Sequence, residues 1–404
     1  MRARAPPRSA GLLNGEYDKH GGKNTRYNGG TLARLAAAAV VLLAVWLLAM
    51  YAFSPSSGGV GGVGGEAMTA SSLGSDRGGY VGKGSKKKHK HDDKGSRHKR
   101  HSHKHVQKGC TASPLQEKDA FPIYGCAELE EMLEGETDLV GKGYWREVRL
   151  GKYQGQDVAI KTLREDQEET DRNKERHRWE AVALDMVRDH PNIVHLLGLC
   201  DCDMVTEYFP YYMDLLLMGD DSSSSNELVE LSMGDIIQMA LQAARGIQAL
   251  HEMPGGPVVH ADLQPRQLLL DEDGVVKVND LNRCRFMARD SSGEPCPFYI
   301  TKGNGVWRSP EEYAGEGLTE KLDIYSLGNI FWAMLGRKPP FVRDSKYKKR
   351  VLSGERPKVD PSWHPGFVQL FTDMWERDPR ERPTAREVVL RLEKMKAELP
   401  PESD

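Results

Sequence analysis

Nineteen consecutive residues, Leu35 to Phe53 (LAAAAVVLLAVWLLAMYAF), carry no charge, and the polar, glycine-rich sequence on either side offers them nothing to pack against. As a helix rising ~1.5 Å per residue they would extend about 28 Å, close to the hydrocarbon thickness of a bilayer. Trp46 and Tyr51 fall in the second half, where interfacial aromatics are common, and Pro55 follows the end. A cleaved signal peptide would have a shorter basic region and a shorter apolar one. The run therefore reads as an uncleaved, single-pass membrane anchor. Lys19, Lys23, Arg26 and Arg34 precede it and residues 54–76 hold no Lys or Arg, so the positive-inside rule favours a type II orientation, with the C-terminal part lumenal or extracellular. Residues 83–108 carry eleven Lys/Arg and six His, but begin about thirty residues beyond the anchor, where the rule is weak; a cytosolic C-terminal part stays open.

The net charge of −3 hides a partition. Residues 1–110 hold 19 Lys/Arg against 6 Asp/Glu, a net of +13, and residues 111–404 hold the other 37 and 53, a net of −16. The first part is too polar outside the anchor to build a core. It divides into a basic tail (1–34), the anchor (35–53) and a disordered stalk (54–117), first Gly/Ser-rich and then Lys/His-rich. The Lys/His run has no Cys or regular spacing to suggest a defined metal site, and a solvated spacer is the favoured reading. The acidic remainder argues against nucleic acid and towards a basic partner.

Residues 118–398 read as one domain with a short C-terminal tail (399–404). The segment TDLVGKGYWREVRLGKYQGQDVAIKTL alternates short apolar runs with glycine turns, a strand pattern. The charged stretch REDQEETDRNKERHRWEAVALDMVRDH reads as a helix ended by Pro191, and NIVHLLGLC and MVTEYF as two more strands. From Met233 onward helical periods dominate, in SMGDIIQMALQAARGIQALHEM, LDIYSLGNIFWAML and TAREVVLRLEKMKAEL. LLLDEDG and VVKVND form a hairpin turning at Asp273-Gly274. The fold class is α+β: a small β-rich lobe (about 118–208) with one main helix, then a larger helical lobe (about 209–398).

An ordered series of motifs over about 128–398 resembles the eukaryotic protein kinases. Gly141-Lys142-Gly143-Tyr144-Trp145-Arg146-Glu147-Val148 is similar to their glycine-rich loop, whose backbone amides approach nucleotide phosphates. Val158-Ala159-Ile160-Lys161 resembles the strand whose lysine holds the α/β-phosphates and pairs with a helix glutamate, for which Glu180 is the best candidate. His260-Ala261-Asp262 begins a segment resembling the catalytic loop, which gives Asp262 the role of accepting the acceptor hydroxyl's proton. Asp280-Leu281-Asn282 resembles D-F-G, which makes Asp280 a Mg²⁺ ligand, with Gln267 in place of the second metal-binding residue. Ser309-Pro310-Glu311 resembles A-P-E. The resemblance pairs Glu311 with Arg382 and gives Asp323 a structural role in the large lobe. It places Val148, Ala159 and Leu269 around an adenine ring, Thr206 behind it, and Glu207 to Phe209 at the hinge. Asp214 lies one residue off the register of a ribose ligand. ATP and Mg²⁺ are the implied cofactors.

Departures from the pattern bear on activity. Arg146 replaces the third loop glycine, where a long cation caps the phosphates, blocks them or points to solvent. Ala261 replaces the arginine that docks an activation-segment phosphate, so phosphorylation of Ser291, Ser292, Tyr299 or Thr301 is expected not to switch the protein by that route. Gln264 replaces a lysine, and Arg266 stands where many tyrosine kinases carry a compensating arginine. Leu281 keeps an apolar anchor, and Asn282 replaces a glycine as the residue best able to tolerate positive φ. With Lys161, Glu180, Asp262 and Asp280 retained, the expectation is a membrane-anchored protein kinase acting on a Ser/Thr or Tyr hydroxyl. A nucleotide- or partner-binding pseudokinase is the alternative, and a secretory-pathway kinase acting on secreted proteins or glycans the second. The cysteines are Cys110, Cys126, Cys200, Cys202, Cys284 and Cys296, which allow fifteen full pairings. In an oxidising lumen, Cys284–Cys296 would staple the activation segment and Cys110–Cys126 the domain entry; in the cytosol all six would be free thiols.

Overall fold

A computed structural model of the chain describes residues 110–111, 113, 126–132, 134–143, 145–168, 170–201, 203–219, 229–300, 304–342 and 344–400. The anchor expected at 35–53, the basic tail and the stalk up to residue 109 lie outside the described residues. Among those described, no helix is long and apolar enough to cross a membrane.

The small lobe is built on a five-stranded antiparallel sheet. Its strands are β2 (Glu134–Lys142), β3 (Arg146–Tyr153), β4 (Gln156–Leu163), β5 (Leu196–Cys200) and β6 (Asp203–Glu207), in the order β2-β3-β4-β6-β5. A two-residue turn joins β3 to β4, with Gln154 and Gly155 both at positive φ (50° and 76°), the hairpin geometry that matches strand twist. Register decides which residues share a face. Val148 lies opposite Lys161, and Ala159 opposite Thr206. These side chains therefore project to one side, while Val158, Ile160 and Val205 form a small core on the other with Leu129 of helix α1 (Cys126–Met132). Helix α2 (Asp171–Met186) starts at Thr170, whose hydroxyl accepts from the Asn173 amide at 3.3 Å. The expected helix is thus trimmed at both ends: Arg164 to Gln167 form a turn, and the helix stops short of Pro191.

The large lobe follows the periodic segments. It contains α3 (Met213–Met218), α4 (Met233–His251), α5 (Pro310–Ala314), α6 (Lys321–Gly336), α7 (Tyr347–Leu352), α8 (Pro365–Met374) and α9 (Ala385–Glu398). Reciprocal capping boxes, Ser232 with Asp235 and Thr384 with Glu387, start α4 and α9. Their apolar faces meet in one core, with Ile237 and Ile247 of α4, Phe331 of α6, Phe367 and Phe371 of α8, and Leu392 of α9 all fully buried. Gly246 lets α4 approach the chain closely. A Cβ there would stand 2.6 Å from both the Asn192 carbonyl oxygen and Val278 Cγ2. The predicted hairpin is β9 (Leu268–Leu270) and β10 (Val276–Val278), with Gly274 at φ 74° and the Asp271 carboxylate accepting from Asp273 and Val275 amides.

Short pairings close the edges. β1 (Cys110–Thr111) pairs with β12 (Arg289–Asp290), β7 (Tyr211–Tyr212) with β9, and β8 (Val258–Val259) with β11 (Arg285–Phe286). Residues 110, 111 and 113, assigned above to the stalk, belong to the folded body. The disulfides correct the expected pairing. Cys110 bonds Cys296 and Cys126 bonds Cys200, while Cys284 is a free, buried thiol whose pKa burial pushes up to about 12. The reason is topological. β1 runs beside the activation segment and α1 lies against β5, whereas Cys284 is sealed in the main core.

Arg382 and Glu311 join as a bidentate pair at 2.7 and 2.8 Å with almost no solvent exposure. Arg382 also donates to the carbonyls of Glu376 and Lys321 and lies 5.0 Å from the Tyr325 ring centroid. Removing one charge leaves the other buried without compensation. Glu311→Gln should lower unfolding free energy by about 3 kcal/mol or more, read as a reduced urea midpoint.

Candidate active site

One face of the small-lobe sheet supplies the cations. Lys161 on β4 stands 3.7 Å from Glu180 Oε1 on α2, and its ammonium donates a hydrogen bond to Asn279 Oδ1 at 2.7 Å. Arg146, the first residue of β3, alternates with Val148 and so faces the same side. Its guanidinium is buried and ion-paired with Glu180 Oε2. Arg146 neither points to solvent nor projects from the loop tip. Glu180 has no solvent exposure: burial pushes its carboxyl up, but Arg146 and then Lys161 outweigh that and hold it below the usual range. Burial lowers the Lys161 pKa, against the pull of Glu180.

The catalytic-loop residues are fixed from below. Asp323 on α6 accepts from the His260 amide at 2.7 Å and the Ala261 amide at 2.9 Å, and its carboxylate meets His251 Nε2 at 3.0 Å. Ala261 is held at φ 59°, a region that costs a side chain about 1 kcal/mol or more. His260 Nε2 lies 2.9 Å from the Asn279 carbonyl oxygen, which ties this loop to the strand end carrying Asp280. The residue at positive φ in that segment is Asp280 (61°), not Asn282 as expected; Asn282 instead turns its amide to Asp280 Oδ1. Gln267 Nε2 donates to Asp280 Oδ2 at 3.1 Å. The two expected metal ligands are therefore neighbours. Asp280 is half-buried, and its pKa is raised by desolvation and then by the like charge of Glu180. Both Asp280 oxygens accept from side-chain amides, Oδ1 from Asn282 and Oδ2 from Gln267; the Asp280 carboxylate and the Gln267 amide oxygen are the kind of donors Mg²⁺ prefers. Among the described residues no cluster of three His, Cys, Asp or Glu forms a self-sufficient metal cage, so phosphate oxygens and water would complete the coordination.

Asp262 meets two arginines that sequence reasoning missed. Arg308 pairs with Asp262 Oδ1 and donates to the Ala261 carbonyl at 2.8 Å, and Arg283 reaches the same Oδ1 at 3.5 Å. Both contacts fall on Oδ1. Arg266 lies elsewhere: its side chain is 65% exposed and faces Asp214 at 3.8 Å. Alternation with Val148 was the signal that could have revealed Arg146. Nothing local marks Arg308, which comes from the turn before α5.

At the nucleotide end, Ala159 and Thr206 are buried and adjacent across β4 and β6, and Val148 is half-buried on the same face. Leu269 packs with Phe209 and Val194. Glu207 is braced by Lys277 at 2.6 Å and the His195 amide at 2.8 Å. Gly141 and Gly143 lie where β2 turns into β3, and the Gly143 amide donates to the Arg146 carbonyl at 2.7 Å. One cleft thus gathers Lys161, Glu180, Asp262, Asp280 and Gln267 beneath a glycine-containing strand pair.

Comparison with known proteins agrees with this geometry. Residues 135–391 match the family described as protein kinase domain, and the chain belongs to that family. It is 32% identical over 262 residues to a probable serine/threonine-protein kinase, drkA, of Dictyostelium discoideum, covering 63% of this chain and 38% of that protein. It is 31% identical over 264 residues to the dual specificity protein kinase shkD of the same organism, covering 63% and 34%. It is 30% identical over 253 residues to serine/threonine-protein kinase 12 of Arabidopsis thaliana, covering 60% and 53%. The chain therefore spans about a third to a half of the length of these relatives.

His177, one turn before Glu180, is 4% exposed; burial and then the nearby Arg146 lower its pKa to about 4 from 6.5. The folded protein keeps this imidazole neutral where the unfolded chain protonates it. Stability is thus fully present above pH 6.5 and falls as pH drops towards 4. His177→Asn should flatten the pH dependence of unfolding free energy across that window by about 2–3 kcal/mol, measured by urea titration at several pH values.

Proposed function

We propose that this chain transfers the γ-phosphoryl group of ATP to a hydroxyl of a protein acceptor. The observation that carries this reading is the convergence of Lys161, Glu180, Asp262 and Asp280 in one cleft. Asp262 would receive the acceptor's proton on Oδ2 while Arg308 holds Oδ1. Lys161 would hold phosphate oxygens, and Val148, Ala159, Thr206, Glu207, Phe209 and Leu269 would enclose the adenine. Mg²⁺ held by Asp280 and Gln267 supplies charge neutralisation of the phosphates when bound. Most of the acceleration would come from positioning and electrostatics, which these groups can provide. The names of the relatives favour a Ser/Thr acceptor, and the domain's net charge of −16 favours a basic one. ATP-dependent phosphate incorporation into a basic protein should be lost, by at least about a hundredfold, in Asp262→Asn. A second reading, a nucleotide-binding scaffold without turnover, is favoured by the arginine seated on Asp262. It predicts MgATP-dependent thermal stabilisation in wild type with no incorporation at all.

We also place the domain behind a single-pass type II anchor at residues 35–53, in an oxidising lumen or outside the cell. The support is the Lys/Arg distribution around the anchor together with the two long-range cystines, a feature of secreted compartments. This setting makes secreted proteins or glycans acceptors to assay beside the basic protein. In sealed microsomes, residues 111–404 should resist added protease until detergent is present, and non-reducing peptide mapping should recover Cys110–Cys296 and Cys126–Cys200. Digestion without detergent would exclude this placement.

A further inference from the structure

Position 146 is a glycine in the loop pattern and an arginine in this chain. A side chain here must enter the cleft, because position 146 shares its face with Val148 and Lys161. Arg146 does so and is 8% exposed, with its guanidinium on Glu180 Oε2, while Lys161 stays 3.7 Å from the other oxygen and bonds the neutral Asn279 side chain. The glutamate, at 0% exposure, needs a closely held cation to remain ionised. A guanidinium is more weakly hydrated than a lysine ammonium, so it is the less costly cation to bury on a carboxylate.

Resting on the kinase reading above, we propose that Arg146 is the positioning residue that anchors Glu180, and with it helix α2, leaving the Lys161 ammonium to the nucleotide's phosphates. The two tasks that one lysine performs in the family pattern are divided between two cations. Leaving Asn279 for a phosphate exposes no charge, so Lys161 can move without cost to α2. Breaking the Arg146–Glu180 pair would leave the buried guanidinium without its carboxylate and Glu180 with only the 3.7 Å contact to Lys161. The division also adds a positive charge to a cleft in which Gln264 stands for the usual catalytic-loop lysine.

The test uses the full chain and the variants Arg146→Gln, Arg146→Lys, Lys161→Gln and Glu180→Gln. Hydrogen exchange of the α2 amides is read without nucleotide, and MgATP affinity and turnover are read separately. Arg146→Gln should speed exchange across Glu180–Leu184 by about tenfold and lower kcat with the KM for ATP within about threefold, and Arg146→Lys should restore part of both. Lys161→Gln should leave α2 exchange within about twofold of wild type and weaken MgATP binding by about tenfold or more. Combined with Glu180→Gln, Arg146→Gln should be strongly non-additive in exchange and Lys161→Gln nearly additive. The proposal is overturned if Lys161→Gln loosens α2 as much as Arg146→Gln does. It is also overturned if Arg146→Gln tightens MgATP binding, which would make Arg146 an obstruction. Should Arg146→Gln not fold, Arg146→Lys carries the same comparison at smaller amplitude. If wild type transfers no phosphate, the kinase reading fails while the exchange data still decide which cation holds α2.

Discussion

A carboxylate sealed from water, Asp323 on α6, organises the centre of this molecule. It takes the amides of His260 and Ala261 and contacts His251, so three separate chain segments converge on one charge. Buried without those donors the carboxylate would be strongly disfavoured; with them it fixes the backbone of the catalytic loop. That demand holds Ala261 in the left-handed region and sets the direction in which Asp262 leaves the loop. His260 passes the constraint on to Asn279, next to Asp280. The position of the Asp280 end of the cleft thus derives from a helix of the large lobe.

The cleft also shows how charge lost at one point of a sequence is restored from another. Ala261 lacks the arginine of the family pattern, yet Arg308, 47 residues downstream, reaches the Ala261 carbonyl and the Asp262 carboxylate. Arg146, in place of a loop glycine, brings a guanidinium to the buried Glu180. Departures that look like decay when read one motif at a time leave Glu180 and Asp262 each matched by an arginine. The two disulfides act at longer range. One holds the segment before the domain against the activation segment, and the other holds α1 on the outer strand of the small-lobe sheet.

Much of the architecture was legible because it rests on local rules. The helices α4, α6 and α9 follow apolar periodicity, and α4 and α9 start at residues that can cap them, Ser232 and Thr384. The β9–β10 hairpin follows from the Asp273-Gly274 turn. The site was legible as an ordered set of residues, since family spacing keeps Lys161, Glu180, Asp262 and Asp280 in sequence. Less was legible where partners are distant. The ends of α2 depend on Thr170 and on packing rather than on its charge pattern, and α8 begins at a proline that reads equally well as a break. The cystines escaped because fifteen pairings satisfy the same six residues.

The sequence alone determined the two-lobed α+β class, the membership of the cleft's carboxylates and Lys161, and the partition between a basic first part and an acidic domain. These depend on residue type and on spacing along the chain, which no folding event alters. Only the tertiary structure decided which cation meets which carboxylate: Arg146 on Glu180, Arg308 on Asp262, and Arg266 out towards Asp214. The physical reason is that an ion pair is selected by approach within a few ångströms and by the burial of both partners. Both are properties of strand register and lobe packing rather than of any local stretch of chain.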